Sequence, residues 1–346
     1  MHGAIHLFDQ LHEADGAQPS GGAQPPASLR ATRRADPLIG VIRNPRSHGN
    51  EGRKADTGDI PGVLLASPGK RNELPAILAD FAAKGVDLLV VDGGDGTVRD
   101  VLTCGASVFG DAWPTLIVLP SGKTNALAYD LGVAPGWTLA EALDAARRQS
   151  VAARHPIVVA QTDNDAAQVR GFVLGAGAFT QAISLGQDAH DFGAFNAAAV
   201  GVTTAWSVLQ ALFGGAGNVW RRGTRMRLRG PDGAELPHAG GGPLDERYMV
   251  FASTLERFPV GLCPFKGIDA PLRMGVLDTP RRALLLRLPA IFYGRAGKAA
   301  RRLGFQAHGL DRFDMEIADR FILDGEAFPA GSYQVRLGPR LHFVVP

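Results

Sequence analysis

One stretch of the chain, Val90 to Asp100 (VVDGGDGTVRD), constrains the fold more than any other. An apolar run typical of a buried strand leads directly into the glycine loop Gly93 to Thr97 and then into a helix. Glycines at the carboxyl end of a parallel strand let backbone N–H groups approach a phosphate closely, and the following helix presents its positive N-terminus to the same group. The stretch therefore predicts a nucleotide-binding loop in an α/β domain.

The same alternation of strand and helix extends over residues 37–150. Short apolar runs bounded by turn residues are typical of parallel strands, and the segments with helical spacing between them are typical of crossover helices. We expect strands at Leu38 to Arg43, Val63 to Ala66, Asp87 to Asp92 and Thr115 to Leu119. We expect helices at Glu73 to Lys84, from Thr97 to Leu102 onward, and over about Leu139 to Arg148. An α/β first domain follows.

Beyond residue 150 the pattern changes to short strands separated by glycine turns. With 346 residues, of which 45% are hydrophobic, the chain is long enough for two cores. We therefore predict a mostly β second domain over residues 151–346. Its expected strands are His155 to Gln161, Arg170 to Leu174, Arg225 to Arg229, Tyr248 to Thr254, Phe321 to Leu323 and Tyr333 to Leu337.

Composition excludes several classes of protein. The formal net charge of +2 is too small to indicate nucleic-acid binding, and the two cysteines, Cys104 and Cys263, suggest neither a disulfide framework nor a thiolate metal site. A cytoplasmic protein without a secretory signal is expected. Residues 1–36, rich in Pro, Gly, Ala and Gln, are expected to form a disordered tail. The uncharged segment Ala194 to Phe213 is interpreted as a packed or lid-like helix, because its polar residues argue against a membrane span.

Asp95 is the informative residue of the glycine loop. An acid beside a phosphate cradle would be repelled unless a cation stood between them. Magnesium is the divalent ion most often held between carboxylates and phosphates, so the loop predicts a magnesium-bound nucleotide.

Three further motifs accompany GGDGT, which resembles the signature of diacylglycerol, sphingosine and ceramide kinases and, more distantly, of NAD kinases and phosphofructokinases. Ile42 to Asn50 (IRNPRSHGN) is similar to the NPxSG element of the lipid kinases, with His48 at the glycine position. Leu119 to Gly132 (LPSGKTNALAYDLG) resembles PxGTxNDxAxxLG, with Lys123 and Ala126 as departures. Phe321 to Phe328 (FILDGEAF) resembles the DGE motif. The order of the four motifs favours the diacylglycerol kinase family.

The resemblance implies an ATP-dependent lipid kinase built from a Rossmann-like α/β domain and a C-terminal β-sandwich. Phosphoryl transfer needs a carboxylate that accepts the proton of the attacking hydroxyl. By resemblance Asp324 is this base, and Asp95 and Glu326 hold the magnesium and complete the catalytic set. The residues implied to line the ATP cleft are Asn44, Ser67, Gly93, Gly94, Asp95, Gly96, Thr97, Gly122, Thr124 and Asn125.

Two regions depart from the family pattern. Gly267 to Pro280 resembles the segment in which many bacterial members hold a second, structural magnesium, but Arg273 and Met274 stand at acidic positions, so no structural metal is expected there. In Val173 to Ile183 the acid that borders the acceptor pocket is replaced by Phe179 or Thr180. The acceptor therefore stays open among diacylglycerol, ceramide and a sphingoid base.

The expected partners are ATP and a lipid substrate at the membrane surface, with a homodimer left open. Arg281 to Arg302 contains seven basic residues and no acid, interleaved with apolar ones, which indicates either a peripheral membrane face or a solvated face over the core. A second basic group consists of Arg221, Arg222, Arg225, Arg227 and Arg229. Two other functions remain: an NAD kinase-like enzyme with a soluble acceptor, and a non-catalytic lipid- or nucleotide-binding protein.

Overall fold

The structure is a computed structural model that describes residues 36–55, 57, 60–180, 223–239 and 242–346. The expectations for the N-terminal tail, for Ala194 to Phe213 and for Arg221 and Arg222 lie outside these residues. Within them the chain forms eight α-helices and eighteen strands. The helices are α1 (Leu74–Lys84), α2 (Asp95–Cys104), α3 (Ala106–Phe109), α4 (Ala126–Leu131), α5 (Leu139–Arg147), α6 (Arg282–Leu285), α7 (Leu288–Phe292) and α8 (Lys298–Arg302).

The strands are β1 (Ile39–Arg43), β2 (Val63–Ala66), β3 (Leu88–Gly93), β4 (Thr115–Pro120), β5 (Val151–Arg154), β6 (Ile157–Gln161), β7 (Asn164–Gly171), β8 (Val173–Gly177), β9 (Thr224–Arg229), β10 (Glu246–Arg247), β11 (Met249–Ser253), β12 (Leu272–Leu277), β13 (Phe305–Leu310), β14 (Arg312–Ile317), β15 (Phe321–Leu323), β16 (Glu326–Phe328), β17 (Gly331–Leu337) and β18 (Leu341–Val344).

The first sheet has the order β2-β1-β3-β4-β18-β5, and its first four strands are parallel. Strand β3 is apolar on both faces because helices cover both sides. Leu89 and Val91 lie in one core cluster with residues of α1 and α2, whereas Val90 lies in another with Leu139 and Leu143 of α5. The predicted α/β domain with a parallel sheet is confirmed.

The C-terminus returns to this first sheet. Strand β18 inserts between β4, to which it is parallel, and β5, to which it is antiparallel. Phe343 is buried there, and its ring lies 6.3 Å from that of Phe172. The sheets therefore do not follow the expected division at residue 150, because β5 and β18 complete the first sheet from beyond that point.

Two antiparallel six-stranded sheets make up the second part of the chain, in the orders β10-β9-β14-β17-β6-β7 and β13-β12-β11-β8-β15-β16. Phe313 and Val335 of the former share one hydrophobic core with Leu174, Val250 and Phe321 of the latter. The mostly β character predicted for this part is confirmed. Strand β8 pairs with β15, which places the hairpin β15–β16 at the junction with the first domain.

The basic segment Arg281 to Arg302 folds as three short helices. Pro289 lies in the first turn of α7, and Gly294 has a φ of 69° between α7 and α8. Proline and a left-handed glycine both interrupt a helix, as the sequence indicates. No helix of the described ranges is long and apolar enough to cross a bilayer.

Candidate active site

Three loops meet at the carboxyl edge of the parallel sheet. The Nδ2 of Asn44, after β1, donates a hydrogen bond of 3.0 Å to the Thr97 hydroxyl in α2. The Gly49 N–H donates to the Ser121 carbonyl over 2.8 Å, and the Ser121 N–H donates to the Gly93 carbonyl over 3.0 Å. The NPxSG-like, GGDGT and SGKTN segments are therefore brought together, as their order in the sequence suggests.

Asp92, the acid near the end of β3, connects these loops through its carboxylate. Its carboxylate accepts hydrogen bonds from Asn50 Nδ2 at 2.9 Å and from the Ser121 hydroxyl at 2.6 Å, and it forms an ion pair with Arg43 at 3.2 Å. One carboxylate thus bonds to residues of two neighbouring loops. Asp92 is a positioning residue that the sequence reasoning placed only in a strand.

Glycine is required where the loops touch. A Cβ atom on Gly122 would lie 2.5 Å from the Gly94 Cα, and one on Gly93 would lie 2.5 Å from the Thr97 side chain. Asn125 has a φ of 51°; its Oδ1 accepts from the Gly122 N–H at 2.9 Å and its Nδ2 donates to the Gly122 carbonyl at 2.7 Å. The glycine and asparagine positions of the motifs are thus explained by close backbone approach.

Asp95 occupies the first position of α2 and faces the start of α4. Its carboxylate accepts hydrogen bonds from the N–H groups of Ala126, at 2.9 Å, and Leu127, at 3.2 Å. Burial raises the pKa of Asp95, and these hydrogen bonds together with the charge of Arg99 act in the opposite direction. The acid that the sequence singles out therefore joins the GGDGT loop to the helix after SGKTN.

A cavity of about 390 Å³ opens beside Asn44 and Thr97, between the ends of β1 and β2 and the start of α2. Arg46, Lys70, Arg71 and Asp100 line it, and because Arg71 pairs with Asp100, the positive charge of the wall comes from Arg46 and Lys70. Ser67 is exposed directly after β2, one residue before Pro68 in the cavity wall, and Thr124 is exposed in the SGKTN loop. Of the predicted ATP-cleft residues, Asn44 and Thr97 line this opening and Ser67 precedes Pro68 of its wall.

Asp324 lies in the turn between β15 and β16, with a φ of 45°. Its carboxylate accepts hydrogen bonds from the N–H groups of Phe172, at 3.0 Å, and Val173, at 2.9 Å. A Cβ atom on Gly171 would come within 2.5 Å of the Asp324 Oδ2, so this approach requires glycine. Burial, followed by the negative charge of nearby Asp95, raises the pKa of Asp324 to about 7. The DGE turn therefore brings a carboxyl group poised near neutrality to the GGDGT loop.

Glu326, two residues further, lies in a network of charges that crosses between the domains. Its carboxylate pairs with Arg71 at 3.0 Å and with Arg99, and both arginines also pair with Asp100, at 2.7 and 2.9 Å. Arg99 is 4% exposed, donates to the Leu323 carbonyl and lies over the Phe328 ring at 6.0 Å. Glu326 thus connects the DGE hairpin to α2.

Sequence reasoning did not identify Arg71 and Arg99. Arg99 follows Asp95 by four residues and therefore shares its helix face, which is a signal that the sequence offers. Arg71 carries no such signal, because its partner Glu326 lies 255 residues away. Of the two, Arg99 acts on both catalytic candidates, because its positive charge lowers the pKa of the Asp95 and Asp324 carboxyl groups, which burial raises.

The carboxylates differ in how well they fit a magnesium ion. Asp95 uses its oxygens on two backbone N–H groups, and each oxygen keeps a lone pair for a cation. Together with Asp324 it forms a pair whose mutual repulsion a cation would relieve. Glu326 is neutralised by two arginines, an arrangement that favours a positioning role. No group of three or more metal-binding side chains occurs in the part of the chain that the structure describes.

The Glu326→Gln variant should separate these two roles. Removing the charge leaves the buried Arg99 with Asp100 as its acidic partner, and we expect a loss of roughly 1–3 kcal/mol in the free energy of unfolding, measured by urea denaturation. Raising magnesium should not restore activity. The matched control is Glu256→Gln, which removes an exposed carboxylate paired with Arg154 and should change stability little. Restoration of activity by magnesium, at unchanged stability, would instead assign Glu326 to the metal.

In the segment Gly267 to Pro280, Arg273 and Met274 stand at the acidic positions, and the acid that remains, Asp278, belongs to a buried network. Asp278 is buried, pairs with Arg247 and accepts a hydrogen bond of 2.7 Å from Gln306. Arg273 donates to the Leu255 carbonyl and stacks on Phe265. Arginines thus supply positive charge in this region.

Comparison with known proteins agrees with the motifs. Residues 39–157 match the family model of the diacylglycerol kinase catalytic domain. A crystal structure of a diacylglycerol kinase from Bacillus anthracis aligns with a TM-score of 0.60 at 16% identity, over 91% of this chain and 99% of that one. A second structure from the same organism aligns with a TM-score of 0.62 at 15% identity, with the same coverage. A search of curated proteins finds no match.

At these identities the structural likeness shows a shared fold, and the family model covers the segment that contains Asp95 and Asn125 but not the one that contains Asp324. The assignment of the DGE hairpin therefore depends on the geometry described above. Over residues 39–157 the resemblance to the diacylglycerol kinase catalytic domain is confirmed.

Proposed function

We propose that this protein is an ATP-dependent lipid kinase that transfers the γ-phosphoryl group of ATP to a lipid hydroxyl. One observation carries the proposal: Asp324, with its pKa raised to about 7, lies close enough to the Asp95 loop to be affected by its charge. A general base works best when its pKa is near the working pH. The raised pKa and the nearby charge of Asp95 support the role of Asp324 as that base.

The first domain supplies the features expected of an ATP site. The N-terminus of α2 and the glycines before it favour negative charge. The adjoining cavity has Arg46 and Lys70 in its wall, and their positive charge suits a polyphosphate. ATP would occupy this opening with its γ-phosphate directed toward Asp324.

In the proposed reaction one proton is transferred, one bond forms and one bond breaks. Asp324 accepts the proton of the acceptor hydroxyl as the hydroxyl oxygen forms a bond to the γ-phosphorus. The bond from that phosphorus to the β–γ bridging oxygen breaks, and ADP leaves. Asp95 would hold a magnesium ion, which would neutralise charge on the phosphate oxygens. Arg71 and Arg99 keep the hairpin that carries Asp324 in register with α2.

A lipid acceptor is supported by the family match and by the order of the four motifs. An NAD kinase-like activity on a soluble acceptor and a non-catalytic binding role are the outcomes that the test must separate. The experiment incubates the full chain with radiolabelled ATP, magnesium and a panel of diacylglycerol, ceramide, sphingoid base and NAD, and separates products by thin-layer chromatography. Label on one lipid is expected. Label on NAD alone, or ATP binding without transfer to any acceptor, would overturn the proposal.

A further inference from the structure

Three large apolar side chains protrude from one layer of the second domain. This layer, called here the basic layer, consists of residues 257–268 and 281–303. Val260 is 79% exposed, Leu286 65% and Tyr293 45%. Scattered apolar residues on a surface need no explanation, so the meaning of these three depends on the backbone and the charges around them.

Val260 is exposed in a conformation that the chain disfavours. It lies in the turn Pro259 to Gly261 with a φ of 59°, in the left-handed region, where a β-branched residue is a genuine outlier. Strained backbone tends to occur at functional positions. Because the Val260 side chain is exposed, burial of its apolar surface within the chain offsets little of the cost of this backbone conformation. The strain therefore points to a contact outside the chain.

The layer is a single packed unit. The Cys263 N–H donates to the Phe292 carbonyl at 2.8 Å, which ties the loop of Val260 to the helix that precedes Tyr293. The rings of Phe265 and Phe292 both pack on Phe251 of β11, with centroids 5.1 and 5.4 Å away. The protruding side chains are therefore held on a fixed support.

The charge of the basic layer has one sign. Its two segments contain no Asp or Glu and nine basic residues, all of them exposed. They are Arg257, Lys266, Arg281, Arg282, Arg287, Arg295, Lys298, Arg301 and Arg302. Such a surface is complementary to anionic lipid headgroups, and two copies of it would repel each other.

The basic layer also adjoins the candidate active site. The turn that carries Val260 contacts α4, whose first N–H groups bind Asp95. The Arg257 N–H donates to the Asp130 carboxylate at 2.6 Å, and its Nε donates to the Asp130 carbonyl at 2.8 Å. A surface bound to this layer would lie beside the catalytic loops.

We propose that the basic layer docks the protein on an anionic membrane, with Val260, Leu286 and Tyr293 entering the headgroup boundary and the basic side chains contacting lipid phosphates. The inference rests on the proposed function, because a lipid hydroxyl is offered to the enzyme at a bilayer surface. Basic residues around exposed apolar ones are the composition that interfacial binding needs.

The test is flotation of the full chain, without ATP, with phosphatidylcholine vesicles that contain or lack phosphatidylglycerol. Binding is expected with the anionic lipid and should weaken as salt rises. The triple variant Val260→Asn, Leu286→Ser, Tyr293→Ser should bind about 1,000-fold more weakly, at about tenfold for each apolar side chain. Asparagine tolerates the left-handed backbone, so the fold is preserved at residue 260. Arg301→Gln with Arg302→Gln should lose about 25-fold, at about fivefold each.

Matched control variants outside the basic layer test whether the loss of vesicle binding is specific to it. Leu65→Ser with Leu244→Ser alters leucines that are 47% and 49% exposed, and Arg225→Gln with Arg227→Gln alters exposed arginines of β9. Neither pair should change vesicle binding. Equal losses in these controls, unchanged binding in both test variants, or a change only in self-association by light scattering would overturn the proposal.

The docking surface and the kinase activity can fail separately. Phosphorylation of a short-chain, water-soluble form of the lipid that the panel identifies as acceptor should be equal in the wild type and in the docking variants. If the variants lose vesicle binding but the wild type transfers phosphate to no acceptor, the docking proposal stands and the kinase proposal is wrong. If the wild type phosphorylates a lipid but the docking variants still bind vesicles as the wild type does, the kinase proposal stands and the docking proposal is wrong.

Discussion

The Asp324→Asn variant should turn over about 10²–10⁴-fold more slowly than the wild type while it remains folded and binds ATP. The amide keeps the size of the side chain and one acceptor oxygen for the N–H groups of Phe172 and Val173. It cannot accept the proton of the attacking hydroxyl. Single-turnover kinetics would measure the loss in the chemical step, and equilibrium binding of an ATP analogue would show that the nucleotide site survives.

The pH dependence of the wild type should report the same group. With the pKa of Asp324 raised to about 7, the carboxyl is protonated and inactive below that pH and becomes a base above it. The kcat/KM of the wild type should therefore rise through about pH 7. A flat profile between pH 6 and about 8 would argue against Asp324 as the base.

Stability should change with pH in the opposite sense. The folded-state pKa of Asp324 lies above that of an unfolded aspartate, about 3.9, so its stabilising contribution is fully present below about pH 4 and is lost as pH rises through about 7. Asp324→Asn has no such titration. Denaturant unfolding across this window should show the variant gaining relative to the wild type as pH rises.

The matched control for this substitution is Asp144→Asn, on the exposed face of α5, where Asp144 pairs with Arg147. It should leave turnover and the pH profile unchanged. Near-normal turnover in a folded Asp324→Asn protein would exclude Asp324 as the base and would require another.

The sequence predicts the fold best where the signal is local. The run Thr115 to Leu119 is apolar in itself, and it forms β4 within one residue of the expected end. The expected helix Leu139 to Arg148 becomes Leu139–Arg147, with the Thr138 and Glu141 side chains forming a capping box at its start. In both cases the residues that determine the element lie within it.

The elements that were missed depend on distant partners. The segment Leu341–Val344 is short and gives no sign that it will insert between β4 and β5, since only its neighbours in the sheet determine its place. The ion pairs of Glu326 join residues more than 200 positions apart, so no local pattern contains them. The protruding Val260 is likewise visible only from its backbone angle and exposure.

For the candidate site, the order of the motifs predicts which segments the fold brings together, but not the contacts that each side chain makes there. The sequence gives Asp95 and Glu326 one shared role at magnesium. In the folded chain Asp95 faces two N–H groups of α4, and Glu326 faces two arginines. The difference arises from the charges that the fold places around each carboxylate, and these come from elements far away in the sequence.

The variant Asp95→Asn should lower kcat/KM for magnesium-ATP by about 10²-fold or more, comparable to the loss of one preorganised electrostatic contact in other enzymes. Asparagine can still accept a hydrogen bond from Ala126 or Leu127 through its one remaining oxygen, so the join between α2 and α4 is largely kept. The charge that would position the cation beside the phosphates is removed. A control on α1, Asp80→Asn, removes an exposed carboxylate paired with Lys84 and should have no effect.

The same variant makes a second prediction that does not require turnover. After burial, the negative charge of Asp95 is the next cause that raises the pKa of Asp324, so removing it should lower that pKa below about 7. Carbon-13 NMR titration of the Asp324 carboxyl would measure the shift directly in the absence of substrate. The midpoint of the residual pH–rate profile should move in the same direction. If the pKa of Asp324 stays where it was, the two carboxylates do not interact, and the GGDGT and DGE segments do not form one site.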